Sequence, residues 1–273
     1  MPDGLPWGRE GGVVQATIAC GQFDPKPGDC AFNTGFIRSQ AREAAAAGAV
    51  VLVLPELCLT GYPAGAAAAA CAVTADGPEM ERAEECAAAT GIDLCFGFVE
   101  RDAAGRLFNS MAYVDKAGIL KSTYRKVHLW PTEREWAVAG DRFAALEALG
   151  ISVGMWICYD TRFPEAARCL ARSGATLGLV GAAWFGPPEE WELALRARAL
   201  DNGMFVAGAT VLGVFGAMPF RGASMIVDPH GNVLARAREG RTQVITARYD
   251  AAVIEQFRAR LPLLQDLRPE TYA

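Results

Sequence analysis

The chain has 273 residues, of which 52% are hydrophobic and 21% charged, and its formal net charge at pH 7 is −5. Such a composition describes a globular, enzyme-sized core and excludes a disordered chain. The mild acidity, with no long run of one sign, argues against nucleic acid or an anionic membrane as partner, and the longest apolar runs are too short to span a bilayer.

Eight cysteines are present, at 20, 30, 58, 71, 86, 95, 158 and 169, with no C-x-x-C pair, and the histidines are two, His128 and His230. A zinc site is therefore poorly supported, and the cysteines read as reduced thiols of a cytoplasmic protein. Residues 1–12 are Gly/Pro-rich and polar, which is a flexible leader and not a signal peptide. No linker-like break follows, so 13–273 is expected to form a single domain.

Taken in order, Val13–Gln22 is a predicted strand and Asn33–Ala47 an amphipathic helix ended by Gly48. Ala49–Leu54 is a continuous apolar strand of the kind buried on both faces. An alanine-rich loop and helix over Ala64–Ala75 leads into a helix over Asp76–Thr90. Strands over Leu94–Arg101, Leu107–Val114 and Ile119–Lys126 precede an irregular stretch, His128–Gly140. A strand starting at Ile151 stops at Cys158, and a helix follows from Pro164. Then come a strand over Ala175–Gly181, a helix over Pro188–Asn202 and a strand over Phe205–Val211. A hairpin joins Ser224–Pro229 to Val233–Ala235, Gln243–Tyr249 is the last strand and Ala251–Ala259 the last helix. The tail Arg260–Ala273 reads as a segment that docks. Strands alternating with helices, with hairpins mixed in, favour an α/β fold with mixed sheets.

Three side chains lie at the ends of predicted strands. Cys158 sits on a strand-to-helix elbow, a geometry that can present a side chain beside backbone N–H groups without helical partners. Taken alone, such a cysteine is more often a small buried hydrophobe. Glu56 directly follows a buried strand, the edge at which open α/β folds place ligands, although a helix cap would also explain it. Lys126 has the opposite strand parity to Arg125, so if Arg125 faces solvent Lys126 faces inward, where it needs an anionic partner. A cysteine nucleophile needs a base for its proton and donors for an oxyanion. Glu56 can supply the first, and Lys126 with the backbone N–H of Tyr159 the second.

The stretches Pro55-Glu-Leu-Cys-Leu-Thr-Gly-Tyr62, Tyr124-Arg-Lys-Val-His-Leu129 and Ile157-Cys-Tyr-Asp-Thr-Arg-Phe-Pro-Glu165 together resemble the three motifs of the nitrilase superfamily of carbon–nitrogen hydrolases, in that family's Glu, Lys, Cys order. The resemblance runs from about Gln15 to Tyr272. It implies a four-layer αββα sandwich with mixed sheets, paired as a homodimer or higher homo-oligomer. It implies Glu56, Lys126 and Cys158 as the catalytic triad, with Glu133, rather than Glu135, as a second glutamate holding Lys126. It implies no metal or organic cofactor.

The residues after the cysteine, Tyr159-Asp160 and Arg162-Phe-Pro-Glu165, are similar to the amidase and carbamoylase branches; true nitrilases place Trp-Glu there. The expected substrate is thus a small linear amide, cleaved through a thioester to ammonia and a carboxylate, with N-carbamoyl compounds as the rival. Asp160 and Arg162 read as structural partners. Tyr62, Trp130, Trp184 and Phe185 are candidate substrate contacts, though core packing explains aromatics equally well. A non-catalytic scaffold on this fold is the other class of reading; the presence of all three triad members speaks against it.

Overall fold

The computed structural model describes residues 8–10, 13–62, 65, 67–215 and 218–272. Most of the 1–12 leader lies outside the described residues, but Gly8–Glu10 (β1) pairs antiparallel with the start of β2, Val13–Gln22. Helix α1 (Cys30–Ala46) begins earlier than its apolar pattern suggests. Asp29 caps it by accepting from Phe32 N–H at 3.0 Å, while Asn33 is occupied in binding the carbonyls of Lys26 and Leu59.

Strand β3 (Ala49–Val53), buried along its whole length, pairs in parallel with β2 and with β4 (Asp93–Arg101). Between β3 and β4 lie α2 (Ala67–Cys71) and α3 (Pro78–Thr90), the latter starting at its proline, which fits the first helical position where no N–H is needed. Strands β5 (Leu107–Val114) and β6 (Leu120–Arg125) extend this sheet by antiparallel pairing.

The second sheet starts with β7 (Ala145–Ala148), a strand absent from the sequence reading because Ala-Leu-Glu-Ala has helical propensity. It forms because Leu149 and Gly150 both take positive φ, 59° and 72°, the requirement of a two-residue hairpin turn into β8 (Ile151–Ile157). Helix α4 (Pro164–Arg172), strand β9 (Leu177–Ala182), helix α5 (Pro188–Asn202) and strand β10 (Phe205–Thr210) follow, with β8, β9 and β10 parallel. A small separate hairpin, β11 (Leu212–Phe215) and β12 (Met218–Arg221), was also not expected. Strands β13 (Met225–Val227) and β14 (Val233–Arg236) complete the second sheet as the expected hairpin. Strand β15 (Gln243–Asp250) returns to pair with β2, and α6 (Ala251–Arg260) closes the helical elements.

The sheets therefore run β1/β15-β2-β3-β4-β5-β6 and β14-β13-β10-β9-β8-β7. They face each other over one apolar core containing Ile18, Val51, Cys95, Met155 and Leu179. Helices α1 and α3 cover the outer face of the first sheet over Ile37, Leu52, Met80 and Phe96, and α4 and α5 cover the second. The architecture is the four-layer αββα sandwich with mixed sheets. In the tail, Leu264 packs against the central core. Among the described residues no helix is long and apolar enough to cross a membrane.

Strand direction decides where the site forms. Strand β4 runs with β3, β5 against it and β6 with it, so β3 and β6 end on one edge of the first sheet. Strands β8 and β9 end on one edge of the second. The two edges meet.

Candidate active site

Glu56 lies in the turn after β3. That turn rests flat on β4 and β9 because both strands carry a glycine there. A Cβ at Gly97 would come within 2.3 Å of Leu57 N, and one at Gly181 within 3.0 Å of Glu56 N. Lys126 follows β6, and its N–H donates to the Asn109 carbonyl at 2.8 Å. Arg125, of opposite parity, turns outward and pairs with Glu100, its Nε donating at 2.9 Å, while Lys126 turns into the protein.

Cys158 terminates β8 and opens a 3-10 turn, Cys158–Arg162, that leads to Pro164 at the start of α4. Its φ is +43°, a left-handed conformation that costs a non-glycine residue energy and is held here by the strand on one side and the helix on the other. The Tyr159 N–H lies in the first turn of this short helix, where N–H groups have no helical acceptor.

The three segments converge on one hydrogen-bonded cluster. Lys126 Nζ donates to Glu56 Oε1 at 2.7 Å and to Glu133 Oε1 at 2.8 Å. Glu133 comes from the 3-10 turn Pro131–Glu135 and also accepts from Trp130 N–H at 2.8 Å and Tyr62 O–H at 3.4 Å; Glu135 is exposed. Glu56 Oε2 accepts the Ala183 N–H at 2.6 Å, and Cys158 Sγ donates to the Ala183 carbonyl at 3.5 Å. Glu56, Lys126 and Glu133 are each at most 1% exposed.

Burial on this scale governs the charges. It raises Glu56 above the usual carboxylate range, an effect increased by the neighbouring Glu133 and opposed by the Lys126 ammonium. Burial alone would lower Lys126, yet Glu56 and Glu133 hold it charged, well above the usual lysine value. Burial and then the Glu56 charge push the Cys158 thiol well up, against the pull of Lys126. The arrangement thus holds a thiol in one cluster with a carboxylate disposed to accept a proton and an ammonium that lies 2.7 Å from Glu56 Oε1 and 2.8 Å from both oxygens of Glu133.

Two residues matter here that the sequence reading missed or left vague. Asn109, on β5, donates through Nδ2 to Glu56 Oε1 at 2.7 Å and to Glu133 Oε1 at 2.8 Å. Its only sequence signal is an amide in an apolar strand, which when buried must find partners. Asp160, fully buried, accepts from Tyr124 O–H at 2.6 Å, His128 N–H at 2.8 Å and Ile157 N–H at 3.1 Å, and meets His128 Nδ1 at 2.8 Å. It thereby ties the segments flanking Lys126 to the elbow bearing Cys158. Arg162 pairs with Glu190 at 2.6 Å.

The aromatic candidates divide. Tyr62 contacts Phe185, Phe215 and Phe220 with centroid separations of 6.1, 4.9 and 6.0 Å. Trp130 stacks on Phe185 at 5.6 Å and meets Tyr159 edge-on at 5.0 Å. These residues form one wall beside the cluster. Trp184 is instead buried against Trp191 at 5.1 Å and belongs to the core between the sheets and α5.

A carbon–nitrogen hydrolase family model matches residues 17–259. The chain is 36% identical to an (R)-stereoselective amidase of Pseudomonas sp. over 228 residues, covering 82% of this chain and 80% of that protein. It is 32% identical to a 2-oxoglutaramate amidase of Bacillus subtilis over 265 residues, covering 94% and 99%. Among solved structures, an amidase from Nesterenkonia sp. superposes with a TM-score of 0.84 at 28% identity, covering 94% of this chain and 95% of that one.

Proposed function

The chain belongs to the carbon–nitrogen hydrolase family of the nitrilase superfamily, hydrolases of carbon–nitrogen bonds other than peptide bonds, and from that membership we propose that it cleaves small linear amides with Cys158 as nucleophile. The single observation that carries this reading is the buried Glu56–Lys126–Glu133 cluster joined through Ala183 to the Cys158 thiol.

In this mechanism Glu56 removes the thiol proton and the thiolate attacks the amide carbonyl. Lys126 Nζ and the Tyr159 N–H hold the tetrahedral oxyanion; loss of one comparable donor costs about 3–4 kcal/mol in other enzymes. Protonated Glu56 passes its proton to the nitrogen as the C–N bond breaks, so ammonia leaves and a thioester remains. Glu56 then deprotonates water, which attacks the thioester, and Cys158 leaves as the thiol with the acyl group released as a carboxylate. Glu133 positions Lys126.

The N-carbamoyl reading uses the same machinery and differs in giving carbon dioxide beside ammonia. A linear amide is favoured because the two relatives above, each named for a substrate class, are amidases. The discriminating experiment measures ammonia and carbon dioxide together from aliphatic amides, N-carbamoyl compounds and nitriles, with Cys158→Ala as the blank. Ammonia alone from an amide supports the reading; both gases from a carbamoyl compound alone would replace it.

The working unit is a homodimer or larger. Helix α5 supports this, since Leu193 and Leu200, seven positions apart and so on one face, are 69% and 44% exposed. A monomer by light scattering at micromolar concentration contradicts it.

A further inference from the structure

We propose that the cavity between the end of α5, the end of α6 and the tail is a second ligand site, separate from the catalytic one, and that it takes a small aliphatic monocarboxylate, the class of product released by the reaction proposed above. The choice of ligand class rests on that reading; the site itself does not.

The cavity measures about 140 Å³ and is lined by Gly203, Phe257, Arg258, Leu261, Leu263 and Leu264, among others. Its walls are fixed by the chain's own contacts. Gly203, with φ +56°, ends α5 and lies so close to α6 that a Cβ there would come within 2.7 Å of the Phe257 ring. The tail folds back in a tight turn, the N–H groups of Gln265 and Asp266 donating to the Pro262 carbonyl at 2.9 and 3.1 Å. Leu264 in that turn packs against the central core. At about 30 Å³ for a water-sized group, a molecule of butyrate size fits. The leucines and Phe257 supply apolar surface that an alkyl chain gains by covering.

Arg258 supplies the charge. Its Nε donates to the Gly203 carbonyl at 3.1 Å, and its Nη2 to the carbonyls of Ala175 and Asn202 at 3.2 and 3.4 Å. These acceptors are all neutral. Among the described residues Nη1 makes no hydrogen bond and no carboxylate pairs with the guanidinium. Burial lowers Arg258 below the ordinary arginine value, opposed by Tyr249. A partly buried cation without an anion is costly, and a carboxylate is its strongest hydrogen-bonding complement. The ends of α5 and α6 each bring about half a negative charge, which Arg258 and Arg260 in the last turn of α6 outweigh.

The cavity stands apart from the catalytic cluster. Ala175 and Gly203 precede the parallel strands β9 and β10, whereas Ala183, which holds Glu56 and Cys158, follows β9. The two sites therefore lie at opposite edges of the second sheet, a whole strand apart.

The test is isothermal titration of the full chain carrying Cys158→Ala with butyrate, and with 1-butanol as the uncharged counterpart. Butyrate is expected to bind at least about tenfold more tightly than 1-butanol, its affinity falling as salt is added. In the same background Arg258→Gln removes the charge, and Leu261→Trp fills the cavity while leaving Arg258 in place. Each should remove one butyrate per chain or weaken its binding at least about tenfold. Leu261 is 38% exposed, so its replacement spares the core and decides the matter if Arg258→Gln fails to fold. Butyrate binding unchanged in Leu261→Trp, 1-butanol binding as tight as butyrate, or no saturable butyrate binding overturns the proposal. Turnover of butyramide by the wild-type chain tests the amidase reading separately, so either can fail while the other stands.

Discussion

Glu56 and Ala183 are joined across the seam between the two sheets by a 2.6 Å hydrogen bond from the Ala183 N–H to Glu56 Oε2. The same residue accepts from Cys158 Sγ through its carbonyl. One peptide segment after β9 thus orients both the carboxylate and the thiol, and neither can shift without the other. Cys158→Ala, which replaces a buried thiol with a slightly smaller apolar group, should keep the fold, read by circular dichroism, and lower kcat by at least about 10³-fold. A folded variant with wild-type turnover excludes Cys158 as nucleophile.

The pH dependence follows from burial of Glu56. A base must be ionised to act, and burial raises this carboxyl above its usual range. The acid limb of kcat/KM is therefore expected above the ordinary carboxylate region, activity falling as pH drops through it. The hydrogen bond from Asn109 stabilises the ionised form and so holds this value down. Asn109→Leu should move the acid limb further up; a limb that moves down in a pH–rate profile contradicts the assignment.

Lys126 is the only cation bonded to Glu56 and Glu133 among the described residues. In Lys126→Met the two buried carboxylates face each other without it, a change that costs about 3–5 kcal/mol when one member of a buried pair is removed. Glu56, already raised by burial and freed of the ammonium that opposes that effect, would then have a folded-state value raised further above its unfolded one. Stability retained by such a group is full below its unfolded value and is lost as pH rises through its folded value. Urea unfolding should therefore show the deficit of this variant widening as pH rises. A deficit that narrows with rising pH contradicts this account of the cluster.

Under the proposed mechanism Asp160, which bonds the segments on either side of Lys126 and the strand end before Cys158, serves as a positioning residue for both. Asparagine at 160 keeps the volume but can no longer accept at both oxygens, so Tyr124 and Ile157 compete with His128 for what remains. Asp160→Asn is expected to lower kcat with little change in KM, because the loosened elbow misplaces the nucleophile without altering the acyl wall. Tyr124→Phe, losing one bond of the set, should cost about 1 kcal/mol of stability and much less kcat. Equal kcat losses in the two variants argue for a purely structural role.

Much of the site was readable from local rules. The strand-to-helix elbow at Cys158 follows from a β-rich run ended by Thr-Arg-Phe-Pro, and the inward aim of Lys126 from its parity against Arg125. The position of Glu56 follows from a fully apolar strand that stops at Leu54, two residues before it. Strand β7 and the β11–β12 hairpin escaped the same rules, because edge pairing overrode the helical propensity of Ala-Leu-Glu-Ala and Phe215 and Phe220 carry no period of their own.

The sequence by itself determined which side chains stand at strand ends, since that depends on hydrophobic period, proline and parity over a few residues. Only the tertiary structure decided what they meet. Asn109 reaches Glu56 and Glu133 through the register of β5 between β4 and β6. Ala183 reaches Glu56 across 127 positions of chain. Trp184 turns into the core while Phe185 turns to the wall. Each of these contacts depends on how two sheets align edge to edge, a choice made by the packing of the whole core, and no local pattern encodes it.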